Sequence, residues 1–367
     1  MKNRGTVLGK IIKVIVCLVI LCIVLIGALF IYRHIYRSKI LKENKITSEK
    51  GIDEEVITEI NGINQYLYIR GQNKENPIIL FIHGGPGSPI TPMIHTYQQG
   101  LEDDYTVVNW EQRNAGKTYF LNEDRADEIK SSLSVEQSVQ DTYEIVSYLK
   151  ERFQKEIIIM GHSWGSTNGT IFVNKYPEMV KAYIGIGQNI SIKDGEKLIV
   201  EETLKVILEK DRDKYSEIVS DKNNIELDSK NFNGENFAMH RAISGKYLME
   251  GTASETEFIK TILLSPYYSL SEARWFLMNN LELQKLLFDE LGTLDLRKDY
   301  TEFKVPMIYI SGDKDWITPY PMVEEYYDSI KAPYKKMVFI ENAGHTPMMD
   351  NPEVFSKEVI NALKEIK

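Results

Sequence analysis

Cysteine is nearly missing from this chain. Among 367 residues only Cys17 and Cys22 are cysteines, and both lie inside one apolar run. The rest of the chain therefore has neither a disulfide framework nor a cysteine-built zinc site, which suits an oxidising exterior without requiring one. No His-Glu-x-x-His and no glycine-rich phosphate loop occur, so neither a metal nor a nucleotide cofactor is implied. Internal repeats and low-complexity tracts are missing too. Acidic residues are absent from the first 40 positions, which hold seven basic ones; the remainder has 37 basic against 53 acidic residues, a net of −16. A domain so charged repels nucleic acid, and no such partner is expected.

What is present begins with residues 14–32, which are apolar and uncharged. About 19 residues at about 1.5 Å each span roughly 30 Å, the thickness of a bilayer core. The stretch has no polar face and no Ala-x-Ala site, and neither cysteine follows a Gly, Ala or Ser, so it reads as an uncleaved transmembrane anchor. Basic residues flank it almost evenly: Lys2, Arg4, Lys10 and Lys13 before it, Arg33, Arg37, Lys39, Lys42 and Lys45 after it. The positive-inside rule thus leaves the orientation near balance. A short N-terminal tail ahead of a large domain suggests a signal anchor with the domain outside the cytoplasm. Oligomeric state is not legible.

The chain divides into a tail (1–13), the anchor (14–32), a polar linker (33–52), a first core segment (53–190), an insertion (191–300) and a second core segment (301–367). In the first core segment, residues 55–60 and 64–70 form an expected antiparallel pair turning at Asn61-Gly62. Strands are expected over 78–82, 105–109, 157–160 and 182–186, with helices between them, as a parallel sheet requires. The clearest helix covers 135–153: Ser134-Val135-Glu136-Gln137 matches a capping box, and Val139, Tyr143, Val146 and Leu149 recur at helical spacing. The insertion is charged and helix-favouring, with helices expected over 193–214 and 269–291. It reads as a cap. Tyr267, Tyr268, Trp275 and Phe276 are candidates to line a pocket, with core packing the simpler use for most. Met239 and His240 read as ordinary packing or surface residues, and Glu201-Glu202 as a solvated helix face.

The strongest chemical signal is Gly161-His162-Ser163-Trp164-Gly165, between the apolar run Ile157-Ile158-Ile159-Met160 and a helix-compatible segment. That strand–turn–helix context is what a G-x-S-x-G nucleophile elbow needs. Glycines two positions either side of Ser163 let strand and helix approach, and the sharp turn lifts the hydroxyl out of the sheet. A serine hydroxyl needs an imidazole to take its proton, and in the order serine, acid, histidine only His345 of the six histidines follows a late acid. Two aspartates compete to orient it. Asp315 has the Gly-x-x-Asp-x-x-x-Pro spacing after the strand expected over 305–310 and is preferred; Asp313 reads as a turn residue. Backbone N–H groups must also stabilise the oxyanion, each worth roughly 3–4 kcal/mol. The amide after the nucleophile, Trp164, and that of Gly85, in the loop His83-Gly84-Gly85-Pro86-Gly87 after the third strand, are the candidates. His83 reads as structural packing of that loop.

The loop His83–Gly87, the segment Glu111-Gln112-Arg113-Asn114-Ala115-Gly116-Lys117-Thr118 and the elbow together resemble proline iminopeptidase-type α/β-hydrolases, over roughly residues 55–190 and 300–367. The resemblance implies an α/β fold: a mostly parallel sheet flanked by helices, with a helical cap insertion, here behind an N-terminal transmembrane helix. It implies Ser163 as nucleophile, Asp315 and His345 completing the triad, and Gly85 and Trp164 at the oxyanion, with an aminopeptidase acting on short peptides. The family's middle motif, DQRGxGxS, is altered: Glu111 replaces Asp, Asn114 the first Gly and Thr118 the Ser. The family's cap Trp-Glu pair is also missing; Glu272-Ala273-Arg274-Trp275-Phe276 has no Glu after Trp275. A small-ester, amide or lactone substrate is thus an alternative, and a non-catalytic membrane-bound binding module a second.

Overall fold

The computed structural model describes residues 2–113, 115–214, 216, 241, 243–248, 255–278, 287 and 290–366. An eight-stranded sheet organises them: β1 (Ile52–Ile60), β2 (Ile63–Gly71), β3 (Ile78–Ile82), β4 (Thr106–Glu111), β5 (Ile157–His162), β6 (Ala182–Ile186), β7 (Met307–Gly312) and β8 (Lys335–Ile340). Their spatial order is β1-β2-β4-β3-β5-β6-β7-β8. β1 and β2 pair antiparallel, as do β2 and β4; every other pairing is parallel. The β1–β2 turn falls at Asn61 and Gly62, both at positive φ (46° and 78°), the geometry that a two-residue hairpin needs. β3, β5 and β6 are buried at every position, because helices cover both faces of a parallel sheet. Two apolar clusters result, one on each face, with Phe81 and Met160 in one and Leu80 and Ile159 in the other.

β4 and β7 each lie further along than expected. β7 starts at Met307 because Pro306, with no N–H to give, precedes the ladder and offers only its carbonyl, to Tyr183. The helix over residues 135–153 is found as expected, capped by Ser134 Oγ, which accepts from the Gln137 N–H at 3.0 Å. Half of the expected capping box forms, since the Gln137 side chain donates to Asp141 instead.

The N-terminal helix, α1 (Lys2–Glu43), is the main departure. Its apolar part is long enough to cross a bilayer and is unburied, with a mean hydropathy of 3.5 over 18 residues. The helix does not stop at residue 32: residues 33–43, read above as linker, are its last three turns. Arg33, Tyr36, Arg37 and Ile40 recur at helical spacing and turn inward, and Ile40 is buried against the domain. Asn44 then stops the helix by returning its side-chain N–H to the Ile40 carbonyl at 2.8 Å, while Arg70 and Gln99 bond Asn44 from the domain side. The described elements of the insertion are helices, with α4 (Ile192–Lys210), α5 (Glu255–Leu264) and α6 (Leu270–Met278) following α2 (Val135–Phe153) and α3 (Trp164–Lys175). The rest of the helix expected over 269–291, Asn114, Met239 and His240 lie outside or partly outside the described residues. Tyr268, Trp275 and Phe276 are core residues, with Trp275 stacked on Tyr119 at 5.2 Å.

Candidate active site

The chain reverses direction across the sheet at β3: β4 lies on one side and β5 on the other. Loops leaving neighbouring strands on either side of such a switch part, and a crevice opens at their carboxyl ends. Every candidate residue sits at those ends. Gly84 and Gly85 follow β3, Ser163 follows β5, Asp315 follows β7 and His345 follows β8.

Ser163 sits between β5 and α3 with φ 54° and ψ −120°, a left-handed conformation that costs a non-glycine residue about 1–3 kcal/mol. The strain persists because packing on both sides dictates it. A Cβ on Gly165 would stand 2.0 Å from the Ile82 carbonyl oxygen, and one on Gly161 would stand 2.4 Å from that of Gly165. Only glycine admits this approach of α3 to β3 and β5. The Ser163 N–H bonds the Ile186 carbonyl at 3.0 Å, so the turn is tied to β6 as well.

The acid and the imidazole are joined. His345 Nδ1 lies 3.0 Å from Asp315 Oδ2 and 3.2 Å from Oδ1. Asp315 is fully buried. Its Oδ1 accepts the N–H groups of Ile317 (2.9 Å) and Thr318 (3.0 Å), and Oδ2 accepts the Thr318 hydroxyl at 2.9 Å. Burial alone would raise its pKa; the charge and hydrogen bond of His345, with the Thr318 donors, outweigh it and hold the carboxyl below its ordinary value. Asp313, the competing aspartate, makes no bond to His345.

His162 supplies the link between nucleophile and imidazole that the motif did not disclose. Its ring lies 4.7 Å from that of His345, and its Nε2–H donates to the His345 carbonyl at 2.8 Å. Burial, and then the neighbouring His345 charge, press its pKa down to about 3, so it is neutral and holds the loop rather than moving protons. A Cβ on Gly187 would meet His345 Nδ1 at 2.9 Å and Asp315 Oδ2 at 3.0 Å, and one on Gly84 would meet Ser163 Cβ at 3.0 Å. Gly187 thus stands against the Asp315–His345 pair, and Gly84 against Ser163 and His162. The Ser163 hydroxyl makes no hydrogen bond to His345 here; it opens instead onto the cavity that it lines with Gly85 and Trp164. Such bonds tighten when substrate binds.

His83 behaves as expected of a packing residue. Burial lowers its pKa to about 4. The neutral ring donates from Nδ1 to the Gly84 carbonyl at 2.9 Å and accepts the Gln112 N–H at Nε2 at 3.1 Å. Gln112 returns its amide N–H to the His83 carbonyl at 2.7 Å and takes the Trp164 indole N–H at 3.1 Å. The loop that carries Gly85 is therefore locked to the residue after the nucleophile. Two further residues of that middle motif make structural bonds: Arg113 pairs with the buried Asp141 at 2.8 Å, and Thr118 donates to the Glu111 carbonyl at 2.6 Å. Glu111 joins core to cap through Tyr268, whose hydroxyl donates to it at 3.0 Å, and burial lifts its pKa to about 7.

From the cap, α4 and Arg241 close over the cavity. Arg241 is the charged side chain on its wall among the described residues. It pairs with Glu196 and donates to the carbonyls of Trp316 (3.2 Å) and Ile317 (2.9 Å), in the loop of Asp315. Glu196 is buried, and its Oε2 has no partner among the described residues. Nothing in the sequence around either residue signals this pair, because it depends on how the cap folds back. Glu202 pairs with Lys205 at 3.0 Å on the solvated face expected for it. No cluster of potential metal ligands occurs among the described residues.

Comparison with known proteins agrees with this architecture. Residues 77–352 match the model of the alpha/beta hydrolase fold family. The chain is 28% identical over 308 residues to "Probable aminopeptidase YbaC" of Bacillus subtilis (strain 168), covering 81% of this chain and 92% of that protein. It is 25% identical over 292 residues to the proline iminopeptidase of Heyndrickxia coagulans, covering 78% and 91%. Among solved structures, a proline iminopeptidase-related protein from Thermus thermophilus superposes with a TM-score of 0.59 at 18% identity, over 86% of this chain and 98% of that one.

Proposed function

Since the chain belongs to the α/β hydrolase fold family and is a hydrolase of the proline iminopeptidase type, we propose that it is a membrane-anchored serine hydrolase that works through an acyl-enzyme, with short peptides as substrates. The observation that carries this reading is the Asp315–His345 pair, bonded at 3.0 Å, together with a strained Ser163 that lines one cavity with Gly85, Trp164 and, from the Asp315 loop, Thr318. With Nδ1–H held by Asp315, Nε2 is left as the base. It takes the Ser163 proton as the hydroxyl oxygen attacks the substrate carbonyl. The amides of Gly85 and Trp164 receive the negative charge on the carbonyl oxygen. The imidazolium then protonates the leaving amine, and the peptide bond breaks to leave an acyl-Ser163. Water, deprotonated by the same imidazole, releases the acid. Buried Asp315, kept ionised, stabilises the imidazolium through both steps.

The apolar stretch of α1 supports the anchor. A second reading, with a small ester, amide or lactone as substrate, is favoured by a specific observation. An aminopeptidase must hold a free ammonium group, yet no carboxylate lines the cavity among the described residues, while Arg241 does.

The test uses the full chain in detergent. A fluorophosphonate probe should label Ser163 and leave the Ser163→Ala variant unlabelled; a folded wild-type protein that takes no label is a binding module and ends the proposal. A panel of prolyl arylamides and short acyl esters then separates the two substrate readings by kcat/KM.

A further inference from the structure

The exit of α1 from its apolar stretch is held by the cap. Arg33 is the first charged residue after residue 32, so in an anchored chain it marks the boundary between hydrocarbon and headgroups. Its Nε donates to the Leu263 carbonyl at 2.8 Å, and its Nη2 to the Tyr268 carbonyl at 2.8 Å. One turn on, Arg37 Nη2 donates to the Pro266 carbonyl at 2.6 Å. Leu263 lies in the last turn of α5, where carbonyls have no partner within the helix, and a guanidinium is a suitable cap for them. These bonds set the height of α5: its C-terminal end lies within one side-chain length of the point where α1 leaves the hydrocarbon.

A helix at that height would be expected to face water with polar residues if water surrounded it. α5 does not. Ile262 turns inward and is fully buried, yet Ile259 and Leu263, one turn apart, and Phe258 beside them, stay 36–37% exposed. Leu270, two residues after Tyr268, is 41% exposed. The charged neighbours Lys260 and Glu257 pair with each other at 3.1 Å, so these two add no net charge to the patch. Lys260 also lies within electrostatic reach of Tyr36 and Tyr32, whose rings are 6.1 Å apart at the end of the span. Tyrosine rings and a lysine at the end of an apolar helix are the side chains that favour a headgroup layer.

We propose that α5 seats the cap on the leaflet that α1 enters, with Phe258, Ile259 and Leu263 buried in the boundary between headgroups and acyl chains. The partner is a lipid surface. Interfacial helices of this kind settle roughly 5–10 Å into that boundary. A protein partner is disfavoured by position, since it would have to occupy the headgroup layer beside Arg33. The catalytic domain is then not a body on a tether: the docked turns of α1 and the seat of α5 hold it at one height and tilt. The inference rests on α1 being a bilayer anchor.

The experiment places the full chain in phosphatidylcholine vesicles with one environment-sensitive fluorophore at a time: on Cys22 with Cys17→Ser, or on Ile259→Cys, Leu263→Cys or Lys331→Cys with both native cysteines replaced by serine. Lys331 is exposed just ahead of β8, at the end of the strands away from the cap. Cys22 should be quenched by spin-labelled acyl chains. Positions 259 and 263 should be quenched by spin labels near the headgroups and be about five-fold less sensitive to aqueous iodide than position 331. If Cys22 is lipid-quenched while 259 and 263 are as open to iodide as 331, the seat is wrong and the anchor stands. Lipid-insensitive Cys22 overturns both. Shielding of 259 and 263 from iodide without quenching by lipid labels means that a second copy covers α5, and it overturns the lipid partner.

Discussion

The strand ends and the cap hold their residues by different means. Around the sheet, functional side chains are fastened to backbone: Asp315 to the amides of Ile317 and Thr318, His162 to the His345 carbonyl, His83 to Gly84 and Gln112. Under the cap, ties between side chains that meet only in the folded molecule are added: Tyr268 with Glu111, and Arg241 with Glu196 besides its bonds to the Trp316 and Ile317 carbonyls. Bonds to backbone follow from the course of the chain at each strand end. Side-chain ties change with single substitutions, so the second set can be taken apart one residue at a time.

Four experiments break or sharpen that contrast. Ser163→Ala should lower kcat by about 10⁴- to 10⁶-fold with KM little changed, as triads behave elsewhere; turnover within ten-fold of wild type would remove the nucleophile from the backbone-held set. Asp315→Asn should cost about 10⁴ in kcat, because an amide at that position favours the wrong imidazole tautomer. Its folding should survive, which circular dichroism checks.

Arg241→Ala tests the cap. It leaves Glu196 buried without its partner, and about 3 kcal/mol of stability should go, visible as a fall in Tm. Replacing both residues with methionine should restore most of the Tm, and KM, rather than kcat, should carry the change in activity. A loss of kcat equal to that of Asp315→Asn would mean that Arg241 acts through the acid loop instead.

The smallest effect concerns pH. Glu111 titrates near 7 rather than at its ordinary 4.5, because burial disfavours its charge. The folded state therefore binds a proton that the unfolded state gives up, and stability from this group is present below about 4.5 and lost as pH rises through about 7, roughly 3 kcal/mol in all. His83, His95 and His162, depressed by burial to about 4, 4 and 3, act in the opposite sense: the unfolded chain takes up protons below about 6.5 that the folded one refuses. Their contribution is common to wild type and variant. The Tm difference between Glu111→Gln and wild type should thus grow from pH 5 to pH 8, and a flat difference would show that Glu111 is not the group at work.

Much of the sheet was legible because burial on two faces leaves a simple trace. β3 and β6 are unbroken apolar runs, and both were located to the residue; the helix over 135–153 was marked by its cap and its period. β4 and β7 slid by one or two residues, since an apolar run says where a strand is buried and not where its pairing begins. The last turns of α1 were misread for a related reason. Residues 33–43 look polar in sequence, yet Arg33 and Arg37 are polar because they bond cap carbonyls. Arg241 and Glu196 left no local signal at all.

By itself, the sequence determined the parallel sheet and the sharp turn at Ser163, and it named Asp315 and His345 as the candidates to accompany that serine, because strand periodicity, a strained turn and loop spacing are local properties written in short stretches of chain. Only the tertiary structure decided that His162 braces His345, that Gln112 ties the Gly85 loop to Trp164, that Arg241 guards the cavity and that α1 is clamped to the cap. Those contacts join residues tens to hundreds of positions apart, and their energy exists only once the sheet has brought the segments together.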